Sequence, residues 1–142
     1  MTANTRFGTL VVPENRIIHL PAGIAGFPEA RRFVLLERGE NQTLRWLQCL
    51  DPEGPTFLVV DPFLVDPAYP LDRVRSAMNE CGLGIGPDDP LAVAAVVAIP
   101  PEPEAPTANL LAPIAVQADS RQGAQVILLD SGYGTREPLP LS

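Results

Sequence analysis

The sequence predicts a mainly antiparallel β fold, either a small barrel-like sheet or a sheet folded into two layers, with one short helix. The chain contains 17 prolines and 11 glycines, many of them at the ends of apolar runs, which divides it into short segments. The gaps between the apolar runs of the first half are short, as antiparallel connections allow and parallel crossovers do not. Helical spacing of apolar residues occurs in one segment, near residues 72–81.

Short β-rich runs in the first half of the chain predict a hairpin followed by a meander. Arg6–Val12 and Arg16–Leu20, separated by Pro-Glu-Asn, are expected to form the hairpin. Residues 39–43 are expected to form a turn within the meander. Further strands, each bounded by a turn rich in Gly, Pro or polar residues, are predicted at Phe33–Arg38, Leu44–Leu50 and Thr56–Asp61.

The helix is predicted from an apolar stripe that contains Leu71, Val74, Ala77, Met78 and Cys81. Asp72 can cap the amino end of the helix, and Gly82 can end it. The stripe is expected to lie on the sheet.

The second half of the chain predicts a buried strand and a closing hairpin. Leu91–Ile99 is apolar almost throughout, as a strand covered on both faces should be. After a Pro-rich connector, Leu110–Gln117 and Ala124–Leu129 form the expected hairpin, which contains Pro113. Because proline has no amide hydrogen for a ladder, we expect Pro113 to end strand pairing at an edge or a corner of the sheet.

The net charge and the length of the apolar runs restrict the class of protein. The net charge of −7 repels phosphate backbones, and no run of Lys and Arg interleaved with aromatic residues is present, so direct nucleic-acid binding is not expected. No apolar run is long enough to span a bilayer as a helix, and the first residues are polar. We therefore expect a cytoplasmic protein with two reduced thiols, Cys49 and Cys81.

The residues needed for catalysis or metal binding are scarce. His19 is the sole histidine and lies in a predicted strand, where a structural role is expected. Neither cysteine has a neighbouring base, and a second His or paired Cys for zinc is missing. The sequence therefore predicts no enzyme activity, no cofactor and no metal site.

The loop 61–70 contains the features that suit binding of a partner. Phe63 and Tyr69 lie among prolines, and aromatic side chains in a stiff loop can anchor an interface at low entropic cost; the alternative is that both fill the end of the sheet. Asp-Pro pairs are typical of turns. A different class of function, a small-molecule-binding β-barrel, would instead use the carboxylates of Asp61, Asp66 and Asp72.

Eight segments in order along the chain make the sequence resemble the FliW family of flagellar assembly factors. They are Thr5–Gly8, Leu20–Phe27, Arg31–Glu37, Trp46–Pro52, Phe57–Pro70, Thr107–Ile114, Arg121–Leu128 and Tyr133–Leu139. Two positions depart from the family pattern: Ala22 stands where an acidic residue is usual, and Glu137 stands where His is common. The resemblance implies a single FliW-like domain over residues 1–142, with a core at about 5–130 and a peripheral tail at 131–142.

The resemblance also implies a function. Proteins of this family bind newly made flagellin and the RNA-binding translational repressor CsrA, so that flagellin synthesis is coupled to flagellin export, and they antagonise CsrA away from its RNA-binding surface. A chain of this kind is expected to be a monomer when free. The residues expected to contact partners are Phe63, Asp66, Tyr69, Asn109 and Arg136.

Overall fold

The computed structural model describes residues 1–37 and 43–140. The elements, in chain order, are β1 (Thr2–Thr5), β2 (Gly8–Val11), β3 (Ile18–His19), β4 (Arg32–Leu36), β5 (Leu44–Cys49), β6 (Thr56–Val60), α1 (Leu71–Glu80), β7 (Leu91–Ala98), β8 (Thr107–Ala108), β9 (Ile114–Gln117), β10 (Gly123–Gln125) and β11 (Glu137–Pro138). Two 3₁₀ turns lie at Glu14–Arg16 and Pro62–Leu64. The turn expected at 39–43 lies, except for its last residue, outside the described residues.

The strands form one large sheet and one separate hairpin, which confirms the prediction of a mainly β fold with one helix. The strand order of the large sheet is β10-β9-β7-β6-β5-β4-β3, and every neighbouring pair is antiparallel. The sheet is curved but open. Within the described ranges, a single bridge between His19 and Gln122 is the only strand pairing that joins its two ends, so a closed barrel is not formed.

The N-terminal hairpin differs from the predicted one. The chain reverses at Arg6–Phe7, so that β1 pairs with β2, and β3 pairs with β4 instead of with the run at 6–12. Gly8 has a φ of +91°, a conformation that glycine adopts without steric cost, and the Thr5 hydroxyl donates to the Gly8 carbonyl (2.9 Å). The sequence predicts a hairpin turn at residues 13–15, but Pro13 precedes a 3₁₀ turn, Glu14–Arg16, that leads into β3.

Apolar side chains cover both faces of the large sheet. On one face, α1 packs Val74 and Met78 against strands β6 and β7. The other face forms a second cluster around Phe33, Leu47 and Val59. The β1–β2 hairpin covers a third, smaller cluster next to β4. The helix has nearly the predicted bounds and is followed by Gly82 with a φ of +85°.

The predicted N-cap of this helix is wrong. The helix begins at Leu71, and the residue before it is Pro70, whose side chain donates and accepts no capping hydrogen bond. Asp72 lies in the first turn, where a carboxylate is still favoured by the partial positive charge of the helix amino end. Proline fixes the entry to the helix in place of a polar cap.

Pro113 lies directly before β9, where regular pairing begins. The Val126 and Leu128 amides donate to the carbonyls of Pro113 (3.0 Å) and Leu111 (2.8 Å), in continuation of the β9–β10 register. Pro113 cannot donate in return, and the Leu111 amide donates to Gly134 instead. The predicted hairpin therefore continues beyond β9 and β10 with hydrogen bonds in one direction only, and Pro113 itself is buried rather than at an exposed edge.

The same region is a bulge against β7. Between the pairs Val97–Ala108 and Ala94–Ile114, β7 advances three residues while the opposing chain advances six. The extra residues leave the sheet plane, and the Asn109 side chain accepts a hydrogen bond from the Ala112 amide (3.0 Å) within the bulge. The bulge thus separates β8 and β9, which both pair with the same edge of β7.

The C-terminal tail is more closely attached to the sheet than the predicted peripheral position at 131–142. β11 pairs with β8, and the amides of Leu110 and Leu111 both donate to the Gly134 carbonyl (3.1 Å each). Tyr133 and Leu139 pack against the cluster under α1. The described part of the tail therefore contributes to the core.

Asp51, two residues after the end of β5, fixes the start of β4 by hydrogen bonds. Its carboxylate accepts hydrogen bonds from the Arg31 amide (2.8 Å), the Arg32 amide (3.0 Å) and the Arg32 guanidinium (2.6 and 2.8 Å). Partial burial favours a higher pKa for Asp51, but these hydrogen bonds outweigh it and lower the pKa below its usual value.

Candidate partner-binding surface

The 3₁₀ turn Pro62–Leu64, which we call the ridge, projects from the end of β6. The Asp61 carboxylate accepts a hydrogen bond from the Phe63 amide (2.9 Å), and Pro62 occupies the first position of the turn, where its missing amide hydrogen costs nothing. Pro62 is buried and anchors the turn, whereas the Leu64 side chain is 53% exposed. A rigid turn therefore presents an apolar side chain to solvent.

The ridge separates two grooves. The larger groove has a volume of about 480 Å³ and the smaller one of about 330 Å³. Thr43, Val60 and Leu64 line both, so the grooves adjoin each other across the ridge. The two grooves and the Leu64 side chain between them form one continuous surface, which is longer than either groove alone.

The larger groove is lined by residues from both faces of the sheet, and its lining includes Leu71 at the start of α1. Its floor is apolar and includes Leu47, Val59 and Ile114, from β5, β6 and β9. From β7 the lining includes Ala92 and Ala94. These methyl groups fill less space than the branched side chains of the adjacent strands, which leaves the interior of the curved sheet open at this end.

The three carboxylates proposed for a small-molecule site do not form one. Of them, Asp61 lines the larger groove, whereas Asp66 and Asp72 line neither groove. Asp61 caps the ridge, Asp66 accepts from the Ala68 amide (2.9 Å), and Asp72 lies in the helix. Within residues 1–37 and 43–140, no three acidic, His or Cys side chains are placed to hold a metal ion.

Tyr69 is not a surface residue, which corrects its predicted role as an exposed anchor. Its side chain is 3% exposed, and its hydroxyl donates to the Leu110 carbonyl (2.6 Å). The ring lies 6.0 Å from that of Phe63 and 5.1 Å from that of Tyr133. The ring therefore fills the core, which was the alternative interpretation of the sequence.

Phe63 has an intermediate position. It packs partly against the cluster under α1 and also lines the larger groove. Its ring is therefore positioned by Tyr69 on one side and accessible from the groove on the other. Of the two predicted aromatic anchors, Phe63 is the one that a partner can reach.

Asp66 links the loop to the C-terminal tail. The Tyr133 hydroxyl donates to the Asp66 carboxylate (2.5 Å). This hydrogen bond, with that from the Ala68 amide, lowers the pKa of Asp66, and the same bond is the main cause that raises the pKa of Tyr133 to about 12. The carboxylate remains partly exposed, so it holds the tail and faces solvent at once.

The remaining predicted contact residues are separate from the ridge. Asn109 is half-buried and organises the bulge before β9 through its side chain. Arg136 is exposed in the tail and lines neither groove. The structure therefore brings Phe63 and Asp66 into one loop and leaves Asn109 and Arg136 elsewhere.

Sequence reasoning missed Leu64, Arg45 and Arg121, which all line the larger groove. Leu64 is the one large apolar residue of the Asp-Pro-Phe-Leu turn with an exposed side chain, and the turn signal alone could have indicated it. The arginines come from β5 and from the turn before β10, and nothing in their spacing indicates that they share a groove.

Comparison with known proteins decides the family. The family model described as FliW protein matches residues 1–139. The chain belongs to the FliW family. It is 34% identical to the flagellar assembly factor FliW of Syntrophus aciditrophicus (strain SB) over 134 residues, which cover 94% of this chain and 84% of the relative.

Other relatives show the same similarity. The flagellar assembly factor FliW of Moorella thermoacetica (strain ATCC 39073 / JCM 9320) is 39% identical over 136 residues, covering 95% of this chain and 85% of that protein. A crystal structure of the flagellar assembly factor FliW superposes with a TM-score of 0.82 at 29% identity, covering 97% of this chain and 96% of the other. The fold of this FliW-family chain is therefore the fold of that crystal structure. In the part of the chain described, no helix has the length and apolar character needed to cross a membrane.

Proposed function

We propose that this chain is a non-enzymatic, cytoplasmic regulator that binds flagellin and antagonises the translational repressor CsrA. Family membership carries the proposal, because the match extends over residues 1–139 and the relatives are named flagellar assembly factors. Under this proposal, export of flagellin frees the protein to bind CsrA and so relieves the block on flagellin translation.

The charge supports a protein partner over a nucleic acid. A chain with a net charge of −7 attracts a basic RNA-binding protein and speeds their encounter, whereas it repels RNA. Such a protein can bind CsrA beside the RNA and weaken RNA binding through a coupling free energy rather than by direct competition. That coupling is reciprocal: RNA must weaken binding of this chain to CsrA by the same factor.

The ridge and its grooves support a binding surface at this end of the sheet. Leu64 is exposed on a rigid turn and Phe63 is accessible beside it, so their burial by a partner loses little conformational entropy. Phe63, Asp66 and Arg136 remain in the proposed contact set. Tyr69 leaves it because its side chain is buried, whereas the half-buried Asn109 stays a prediction.

Calorimetric titration tests the proposal, with flagellin and CsrA from the same organism added separately to the purified protein. We expect binding with a Kd of about 1 μM or tighter for each partner. Leu64→Ala should weaken binding to at least one of them by roughly tenfold or more, as loss of a central apolar anchor does. The matched control is Leu129→Ala, at a leucine that is 70% exposed and lines neither groove, which should bind like the wild type.

One result would contradict the proposed function, and another would contradict only the proposed surface. A folded wild-type protein that binds neither partner would show that the fold is shared with the family but the function is not. Equal losses for Leu64→Ala and Leu129→Ala would leave the function standing and remove the ridge as its surface.

A further inference from the structure

The larger groove carries charges at its rim that differ from the charge of the protein as a whole. Among the described residues that line it, Arg45 and Arg121 are basic and Asp61 is acidic. The two arginines share this groove in a chain whose net charge is −7. The Asp61 carboxylate accepts a hydrogen bond from the Phe63 amide through one oxygen, which fixes its position in the turn.

Among the described residues, no buried carboxylate pairs with either guanidinium group. The Arg45 Nε lies 3.2 Å from a Glu37 carboxylate oxygen, but the two side chains are 46% and 65% exposed, and exposed ion pairs of this kind are weak. Arg121 donates to the backbone carbonyls of Ile17 (3.3 Å) and Arg16 (2.9 Å). These neutral acceptors fix the guanidinium beside the groove without cancelling its charge.

The interior of the groove suits apolar groups. Its volume of about 480 Å³ can hold several apolar side chains, and aliphatic residues from six strands line it. The second groove adjoins it across Leu64, so the apolar surface continues beyond the first hollow. A footprint that crosses a ridge between two hollows fits a segment of polypeptide better than a single small molecule.

We propose that the larger groove binds an apolar segment of a partner protein in which a carboxylate lies next to the apolar side chains. The apolar side chains occupy the space beside Ala92 and Ala94, and the carboxylate interacts with Arg45 and Arg121. This inference rests on the proposed function and specifies the chemistry of one partner segment. It also predicts that the basic surface of a partner is bound elsewhere, because the rim of the groove repels it.

Short peptides test the chemistry without either natural partner. The probe is an acetylated hexapeptide with two leucines and two glutamates, compared with versions that carry glutamine or lysine in place of glutamate, each added to ¹⁵N-labelled protein. We expect the glutamate peptide to shift the amide signals of Ala92, Ala94 and Val116, and the lysine peptide to bind at least fivefold more weakly. Equal affinity for all three peptides, or shifts confined to other surfaces, would overturn the proposal.

Filling the groove tests it with the natural partners. Ala92→Leu places a larger side chain in the groove at an exposed position, and Ala98→Leu places the same side chain at an exposed position of the same strand outside the groove. We expect Ala92→Leu to weaken binding of flagellin or CsrA by tenfold or more. Ala98→Leu should bind like the wild type.

Removing the charge of Arg45 is a second, independent test of the groove. Its results also distinguish failure of the groove proposal from failure of the proposed function. Arg45→Gln should weaken the same complex by about threefold to tenfold, with a smaller effect at high salt. If the wild type binds its partners and Ala92→Leu and Arg45→Gln do so equally well, the groove proposal fails and the proposed function stands. If the wild type binds neither partner, the proposed function fails, while the peptide titration still decides whether the groove selects acidic apolar segments.

Discussion

Replacing Tyr69 by Phe should lower stability and leave partner binding unchanged. The hydroxyl of Tyr69 donates to the Leu110 carbonyl at 2.6 Å, and both residues are buried. Within the described residues, no other group donates to that carbonyl. The substitution therefore removes one buried hydrogen bond and leaves a buried acceptor without a partner.

The expected loss follows from that geometry. Leaving a buried carbonyl unsatisfied costs about 1–3 kcal/mol, so we expect the free energy of unfolding to fall by about 2 kcal/mol. For a chain of 142 residues this lowers Tm by roughly 5–10 °C. The phenyl ring keeps its packing against Phe63 and Tyr133, so no cavity adds to the loss.

Urea unfolding followed by circular dichroism measures the stability, and calorimetric titration with flagellin and CsrA measures binding. Tyr69→Phe should match the wild type in affinity within about twofold, in contrast to Leu64→Ala, which should match it in stability and lose affinity. An unchanged free energy of unfolding for Tyr69→Phe would refute the buried hydrogen bond. Lost affinity at unchanged stability would return Tyr69 to the binding surface.

Three further variants test the fold. Asp51→Asn removes the ion pair with Arg32 and weakens the amide hydrogen bonds, and denaturant unfolding should show a loss of about 2–3 kcal/mol. Gly123→Ala places a Cβ in steric conflict with the backbone carbonyl oxygen of Ala115 in β9, so a lower Tm by several degrees and a disturbed β9–β10 pairing by NMR are expected. In the wild type, stability should fall as the pH rises from about 10 to about 12, because burial raises the pKa of Tyr69 and the hydrogen bond to Asp66 raises the pKa of Tyr133 to about 12 in the folded state. Tyr133→Phe should remove the contribution of Tyr133 and keep that of Tyr69. An equally steep alkaline loss in Tyr133→Phe would exclude that hydrogen bond as its cause.

The acid side of the pH profile tests the same pair from Asp66. The hydrogen bond from Tyr133 lowers the pKa of Asp66, so its contribution to stability is present above the ordinary pKa of about 4 and is lost as the pH falls below it. In Tyr133→Phe, pH titration of unfolding should show a weaker loss in this range. An identical acid profile in both proteins would contradict the link between loop and tail.

The sequence predicts the strands of the meander and the helix because local signals decide them. Prolines, glycines and apolar runs place β5, β6 and β7 within about one residue of their observed bounds. The N-terminal hairpin was predicted wrongly because its turn depends on a threonine side chain and on Gly8, which compete with the stronger signal of Pro13. Both turn signals, at Gly8 and at Pro13, are local, and the pairing of the strands in the folded chain decides which of them forms the hairpin turn.

The candidate surface could be predicted only in part. The loop around Phe63 is visible in the sequence, since an Asp-Pro-Phe-Leu turn between a strand and a helix has to lie at the surface. Burial of Tyr69 depends on a hydrogen bond to Leu110, 41 positions away, and the groove depends on side chains from strands that meet only after folding. Such long-range juxtapositions leave no local signal.

Displacement of RNA from CsrA tests the central claim most directly. A complex of CsrA with a labelled fragment of flagellin mRNA is titrated with this protein, and flagellin is then added while fluorescence anisotropy reports bound RNA. The account predicts that the protein releases the RNA and that flagellin restores RNA binding, with RNA and protein each weakening the other's binding to CsrA by the same factor. RNA that remains bound at saturating protein, with the protein shown to be folded, would contradict it.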